Sequence, residues 1–277
     1  MNRQILIIGK PDSSKTVFLT QFYSRLQKNL STLKLYKKVG KLSAITASRE
    51  ALSNGDEPQP TPLESHVEFE LPILLNGEEV DIVCPEYGGE QVNTIIETRH
   101  LNKEWIEAIK NSNNWVVFIR LNNISKPIDI ADVTVTDENI KKSNDEDESP
   151  DLYSISEQTS FIELLQILLD IKQFDYHSIN STIKLTVVLT CWDEMGQDGM
   201  PSNFLKEKLP LFVDFIESNW NKDAVKYLGL SALGFSLKLP ENKEKYRVYG
   251  PEKFGYLIFS DGTDTNDLTE LINQSIW

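Results

Sequence analysis

A lysine and a threonine at positions 15 and 16 stand where chemistry on phosphate would need them. They close the segment Gly9-Lys10-Pro11-Asp12-Ser13-Ser14-Lys15-Thr16, which follows the apolar run Ile5-Leu6-Ile7-Ile8 and precedes a helical pattern. The pattern Gly-x-x-x-x-Gly-Lys-Ser/Thr holds phosphate for physical reasons. Backbone amides converge at a helix N-terminus, the lysine reaches the outer phosphates, and the hydroxyl can ligate Mg²⁺. Gly9, Lys15 and Thr16 fit this pattern, and Ser14 takes the second glycine's place. Serine is small enough for the loop to close, with some loss of backbone freedom. The bland alternative is a plain strand-to-helix turn in which Asp12 or Ser13 caps the helix.

Three later strand ends test the phosphate reading. The run Val80-Asp81-Ile82-Val83-Cys84 leads into Pro85-Glu86-Tyr87-Gly88-Gly89-Glu90-Gln91. An acid at such a place can hold Mg²⁺ through water, and the glycine amide can reach an outer phosphate. Further on, an apolar run ends in Thr190-Cys191-Trp192-Asp193, and another in Ser231-Ala232-Leu233. Thr61 lies in a proline-rich stretch, Pro60-Thr61-Pro62, between the first helical pattern and the second strand. Ligands of open parallel sheets sit at strand C-termini, where these segments would gather.

In this order the segments resemble the motifs of P-loop GTPases of the translation-factor and Ras-related class. Within that class the chain resembles most the bacterial double-GTPase type domains of conflict and defence systems. The resemblance implies GTP or GDP with Mg²⁺ as ligands. Gly9, Asp12, Ser13, Ser14, Lys15, Thr16, Thr190, Asp193, Ser231 and Ala232 would bind nucleotide. Thr16, Thr61 and Glu86 would serve the metal, and Lys15, Thr61, Gly89 and Glu90 would serve hydrolysis. Asp193 would read the guanine N1-H and N2-H, a donor pair that adenine lacks. The departures are Ser14 for glycine, Glu86 for aspartate, Cys191 for the lysine whose stem covers the base, and Glu90 for glutamine. They imply slow or partner-activated GTP hydrolysis in a molecular switch, or nucleotide binding without turnover in a scaffold. An ATP-using enzyme with the same phosphate loop is the remaining alternative.

The elements that must position these residues follow from hydrophobic period. Residues 5–8, 115–121, 184–190 and 225–230 read as buried strands, and 66–75 with 80–84 as a hairpin around Asn76-Gly77. Helical spacing marks 16–30, 42–52, 101–110, 161–174, 204–220 and 267–277. Strands alternating with helices indicate a three-layer α/β fold, G-domain-like, with a mostly parallel sheet and one antiparallel hairpin strand. One domain over 1–277 is expected, with an acidic insertion at about 122–158. Within 132–151 eight acids face two lysines. Such a stretch reads as a solvated, mobile loop.

The 277 residues carry a net charge of −14. That excess discounts nucleic acid, whose binders need a basic footprint. It also discounts an anionic membrane surface. The interval of 70 positions from Thr16 to Glu86 leaves room for an enlarged switch region that contacts protein partners, as does the acidic loop. Oligomeric state is left open. Cys84 and Cys191 read as reduced, buried thiols, and with no leader or membrane segment visible a cytoplasmic protein is expected.

Overall fold

The computed structural model describes residues 3–40, 42–59, 69–85, 89–124, 156–196 and 199–276. Its centre is β1 (Arg3–Gly9), which pairs in parallel with β4 (Glu78–Cys84) on one side and β5 (Asn114–Ile119) on the other. β6 (Lys184–Thr190) and β7 (Val225–Ser231) continue the parallel run. Central parallel strands are covered on both faces, so their residues divide by parity. Leu6, Ile8, Trp115, Val117, Leu185 and Val187 enter one core. Ile5, Ile7, Val116, Phe118 and Val188 enter the other.

Helices cover each face. α1 (Lys15–Gln27), α2 (Ser43–Ser53) and α9 (Glu270–Ser275) lie on the side of Ile5 and Ile7. α3 (Glu90–Thr98), α4 (Lys103–Asn111), α5 (Glu157–Ile171), α6 (Pro201–Lys208) and α7 (Pro210–Asn219) lie on the other. α8 (Pro240–Tyr249) packs beside α2 through Tyr246 and Leu52. The arrangement is the three-layer α/β fold expected from the sequence.

The hairpin is also as read. β3 (Phe69–Leu75) pairs antiparallel with β4, Leu75 opposite Glu78. Asn76 and Gly77 both hold positive φ, 51° and 84°, as a two-residue hairpin turn requires. The expectation of a single antiparallel pair needs correction. Three short strands also pair antiparallel: β2 (Lys34–Leu35) with β3, β8 (Tyr256–Ile258) with β7, and β9 (Asp264–Thr265) with β8. Strands of two or three residues are too short to show a period.

Two helical readings change for local reasons. The helix expected over 204–220 is two helices, because Pro210 cannot continue a backbone ladder and starts α7 as its first residue. α1 stops at Gln27 because Asn29 turns left-handed at φ 54°, and Leu30 N then donates to Arg25 O. Most of the acidic insertion, residues 125–155, lies outside the described residues. Its two ends are regular: 121–123 form a 3₁₀ turn, and Ser156 caps α5 by accepting from Thr159 N. No helix among the described residues is long and apolar enough to cross a membrane.

The C-terminal segment is bound to α1 by a buried cation. Arg25 donates to Asn266 O at 2.8 Å and to Phe254 O at 2.6 Å. Gly229 in β7 shows how closely the site-bearing end of the sheet is packed. A Cβ there would stand 2.5 Å from the Trp192 ring. Gly229→Ala is therefore expected to lower unfolding free energy by about 1–3 kcal/mol through overpacking, read as a lower urea midpoint. An unchanged midpoint would contradict this packing.

Candidate functional site

The loop from β1 to α1 turns over left-handed backbone at two residues that are not glycine, Asp12 at φ 58° and Ser14 at φ 60°. Ser14 thus keeps the conformation of the glycine it replaces, at a cost of about 1–2 kcal/mol for carrying a Cβ there. Ser14, not Asp12 or Ser13, is the cap residue of α1, and its side chain makes no cap hydrogen bond. Its Oγ instead lies 3.2 Å from Cys191 Sγ at the end of β6. The Ser13 hydroxyl donates to Lys10 O at 2.6 Å.

Lys15 is 3% exposed. Its Nζ donates to Gly9 O at 2.6 Å, Lys10 O at 2.8 Å and Ser13 Oγ at 3.1 Å. These contacts fold the ammonium back over its own loop. Gly9 must stay small, since a Cβ would come within 2.6 Å of Ser13 Oγ. Gly89 closes on the same point. At φ 94° it caps α3, and a Cβ would stand 2.6 Å from Lys15 Nζ and 2.7 Å from Gly9 O. Glu90 follows as the first residue of α3.

At the end of β6, Cys191 is left-handed at φ 53°, and the chain turns into a short 3₁₀ helix holding Asp193. Asp193 Oδ1 accepts from Ser231 Oγ at 2.5 Å, and Ser231 Oγ accepts from Gly234 N at 2.9 Å. This relay fixes the carboxylate and the loop after β7 together. The Ala232 carbonyl accepts from Gln21 Nε2 of α1 at 3.3 Å, and Tyr246 donates to Leu233 O at 2.6 Å. Thr190 is buried, and its hydroxyl has no hydrogen-bond partner among the described residues. Trp192 packs edge-on to Phe204, ring centroids 5.1 Å apart, so its ring serves the core.

These ends surround one cavity of about 350 Å³, within the range of small-molecule sites. Asp12, Ser13, Ser14, Lys15, Thr16, Glu90, Asp193 and Ala232 line it. Gly9 and Gly89 back it through Lys15, and Ser231 through Asp193. Thr61 and Glu86, expected at the metal, lie outside the described residues. Among those described, no three His, Cys, Asp or Glu gather as a metal cluster. Mg²⁺ on a phosphate needs only one or two protein oxygens, water and the phosphates supplying the rest. The Thr16 hydroxyl in the cavity wall fits that use.

Sequence reading missed Arg120 and Glu194 on the same wall. Arg120 Nη2 lies 2.5 Å from Glu194 Oε1 and Nε 3.2 Å from Oε2, a two-pronged pair. Arg120 lies inside the strand reading 115–121 and Glu194 directly follows Asp193, which was the available signal. Arg49 and Arg99 lie elsewhere: Arg49 over the Tyr23 ring and Arg99 on Glu163. The wall carries the carboxylates of Asp12, Glu57, Glu90, Asp193 and Glu194 against the cations of Lys15, Arg120 and Lys238. Among the described residues, those cations are the groups on the wall that could meet an anionic ligand.

A family model described as Double-GTPase 1 matches residues 6–275. The chain belongs to the Double-GTPase 1 family. The match runs from the middle of β1 to the end of α9 and so includes every strand end around the cavity. Among solved structures the chain is similar to the S. cerevisiae Ski7 GTPase-like domain, which was solved bound to GTP. The identity is 12% and the TM-score 0.45, over 87% of this chain and 46% of that one. The chain thus spans about half the length of that neighbour. No curated protein matches.

One reading of the cysteines changes: Cys84 is buried, but Cys191 is partly exposed. Burial pushes the Cys191 thiol above its ordinary value, while the Ser14 hydroxyl and the Arg120 charge pull the other way. Alkylation of Cys191 by iodoacetamide should accordingly rise with pH about a midpoint above that of a free thiol. In Arg120→Ala the midpoint should move higher still, because a cation that favours thiolate is gone. A midpoint at or below the free-thiol value would contradict this geometry.

Proposed function

We propose that this member of the Double-GTPase 1 family binds GTP and GDP in the cavity at the end of α1 and hydrolyses GTP slowly as a molecular switch. The observation that supports this most is convergence. The buried Lys15 of the phosphate loop and the Ser231-fixed carboxylate of Asp193 line one cavity, from opposite strand ends. Lys15 would leave its loop carbonyls for the β and γ phosphates. Asp193 Oδ1 is occupied by Ser231, and the carboxylate's remaining lone pairs would take guanine N1-H and N2-H. Gly89 would present its backbone to the outer phosphate, and Glu90 would face the water. Mg²⁺, held by Thr16 and, in this reading, by Thr61 and Glu86, supplies neutralisation of phosphate charge when bound.

Binding without turnover is the second reading, and Glu90 is the residue that favours it. A carboxylate beside a γ-phosphate repels it, where an amide would orient water at no charge cost. The wider role in this proposal is switching within a bacterial conflict or defence system. Partners from that system would read the segment around Thr61 and Gly89 or the acidic stretch, in the cytoplasm. Family membership alone supports that part.

Calorimetry on the whole chain in Mg²⁺ buffer tests the ligand. GTP and GDP are expected to bind at micromolar concentration, and Lys15→Ala to abolish binding. Asp193→Ala should weaken GTP about 10- to 100-fold, the loss of a charge-assisted pair, and leave any ATP binding unchanged. If the wild-type chain binds neither guanine nucleotide, the reading fails. If Asp193→Ala weakens ATP and GTP alike, the base assignment fails. Phosphate release from GTP, present in the wild type and lost in Lys15→Ala, separates hydrolysis from binding alone.

A further inference from the structure

Two residues before Asp193, where the resemblance implies a lysine stem over the base, the chain has Cys191. The position cannot supply a cation. The neighbouring strand can. β5 pairs in parallel with β6, Ile119 beside Leu189. Arg120 therefore leaves β5 level with Thr190, immediately beside the Cys191 turn. Its guanidinium is gripped by Glu194, the residue after Asp193, through both prongs of the fork. It lines the same cavity as Ser14, Cys191 and Asp193.

We propose that Arg120 is the cation over the nucleoside end of the ligand, replacing from β5 the lysine that β6 lacks. The inference rests on the guanine-nucleotide reading. Its physical basis is threefold. A guanidinium held edge-on by a carboxylate keeps its flat faces available for stacking on a base. The Glu194 grip removes most of the rotamer freedom that stacking would otherwise have to freeze. And among the described residues Arg120 is one of three cations on a wall with five carboxylates, so its charge matters to a polyanion. The alternative is an ion pair that merely ties two strand ends together, which would be indifferent to nucleotide.

The test is GDP titration calorimetry of the full-length chain in Mg²⁺ buffer, with thermal midpoints measured alongside. Arg120→Ala is expected to weaken GDP about 3- to 30-fold. Adding Cys191→Lys to Arg120→Ala, which returns a cation from the β6 side, is expected to recover most of that loss. Arg120→Gln, which keeps a hydrogen bond to Glu194 but no charge, should behave like Arg120→Ala and serves if that variant is unstable. Unchanged affinity in the uncharged variants overturns the proposal. So does a loss that Cys191→Lys fails to recover at an unchanged thermal midpoint, because a tie between strands gains nothing from that lysine. Absence of GDP and GTP binding by the wild-type chain would instead overturn the nucleotide reading beneath it.

Discussion

The left-handed turn at Ser14 governs the geometry of the site. β1 lies at the middle of the sheet, buried on both faces, and α1 must begin within a few residues of its end. Only a sharp reversal returns the chain onto the sheet face, and it places Asp12 and Ser14 at positive φ. Each such residue carries a cost of about 1–2 kcal/mol, and Cys191 adds a third across the cavity. Strain of this kind persists only where surroundings over-determine it. Here the surroundings are identifiable. The Lys15 ammonium gathers Gly9 O and Lys10 O, Gly89 backs onto it, and the Ser14 hydroxyl meets the Cys191 thiol.

From that turn the chain holds the two ends of the cavity at a fixed separation. α1 starts at the phosphate loop and carries Gln21, whose amide reaches the Ala232 carbonyl in the loop after β7. One turn further, Arg25 grips the backbone at Phe254 and Asn266. Burial disfavours the charge on Arg25, and Asp267 partly offsets that. The same helix therefore presents Lys15 to one end of the cavity and braces the loop beside Asp193 at the other. A rigid span of this kind is what a ligand with phosphates at one end and a base at the other would need.

Much of this was legible in the sequence, and the limits have physical reasons. The buried parallel strands declared themselves because each is a run of branched apolar residues, and Asn76-Gly77 fixed the hairpin by its turn chemistry. The phosphate loop was legible because Lys15 and Thr16 follow a strand and open a helix. β2, β8 and β9 were not, since two or three residues carry no period. α3 was not legible because its nine residues carry only three buried apolar positions, Val92, Ile95 and Ile96, too few to repeat a helical period. Trp192 directly precedes Asp193, and only the approach of Gly229 and Phe204 shows that its ring belongs to the core. Arg120 lies inside the run 115–121, which reads only as a buried strand. Its partner lies 74 positions away, and no local pattern reports a pair so distant.

The departures from the usual motifs acquire a different meaning once they are seen in space. Taken singly, a serine for glycine and a cysteine for lysine each look like decay of a nucleotide site. In the fold they touch, Ser14 Oγ against Cys191 Sγ. Ser14 in turn holds glycine's backbone conformation, so the loop keeps its path over Lys15. The cavity wall has Ser14 and Cys191 in contact, with a two-pronged Arg120–Glu194 contact beside them. The two departures therefore fit one another in this fold.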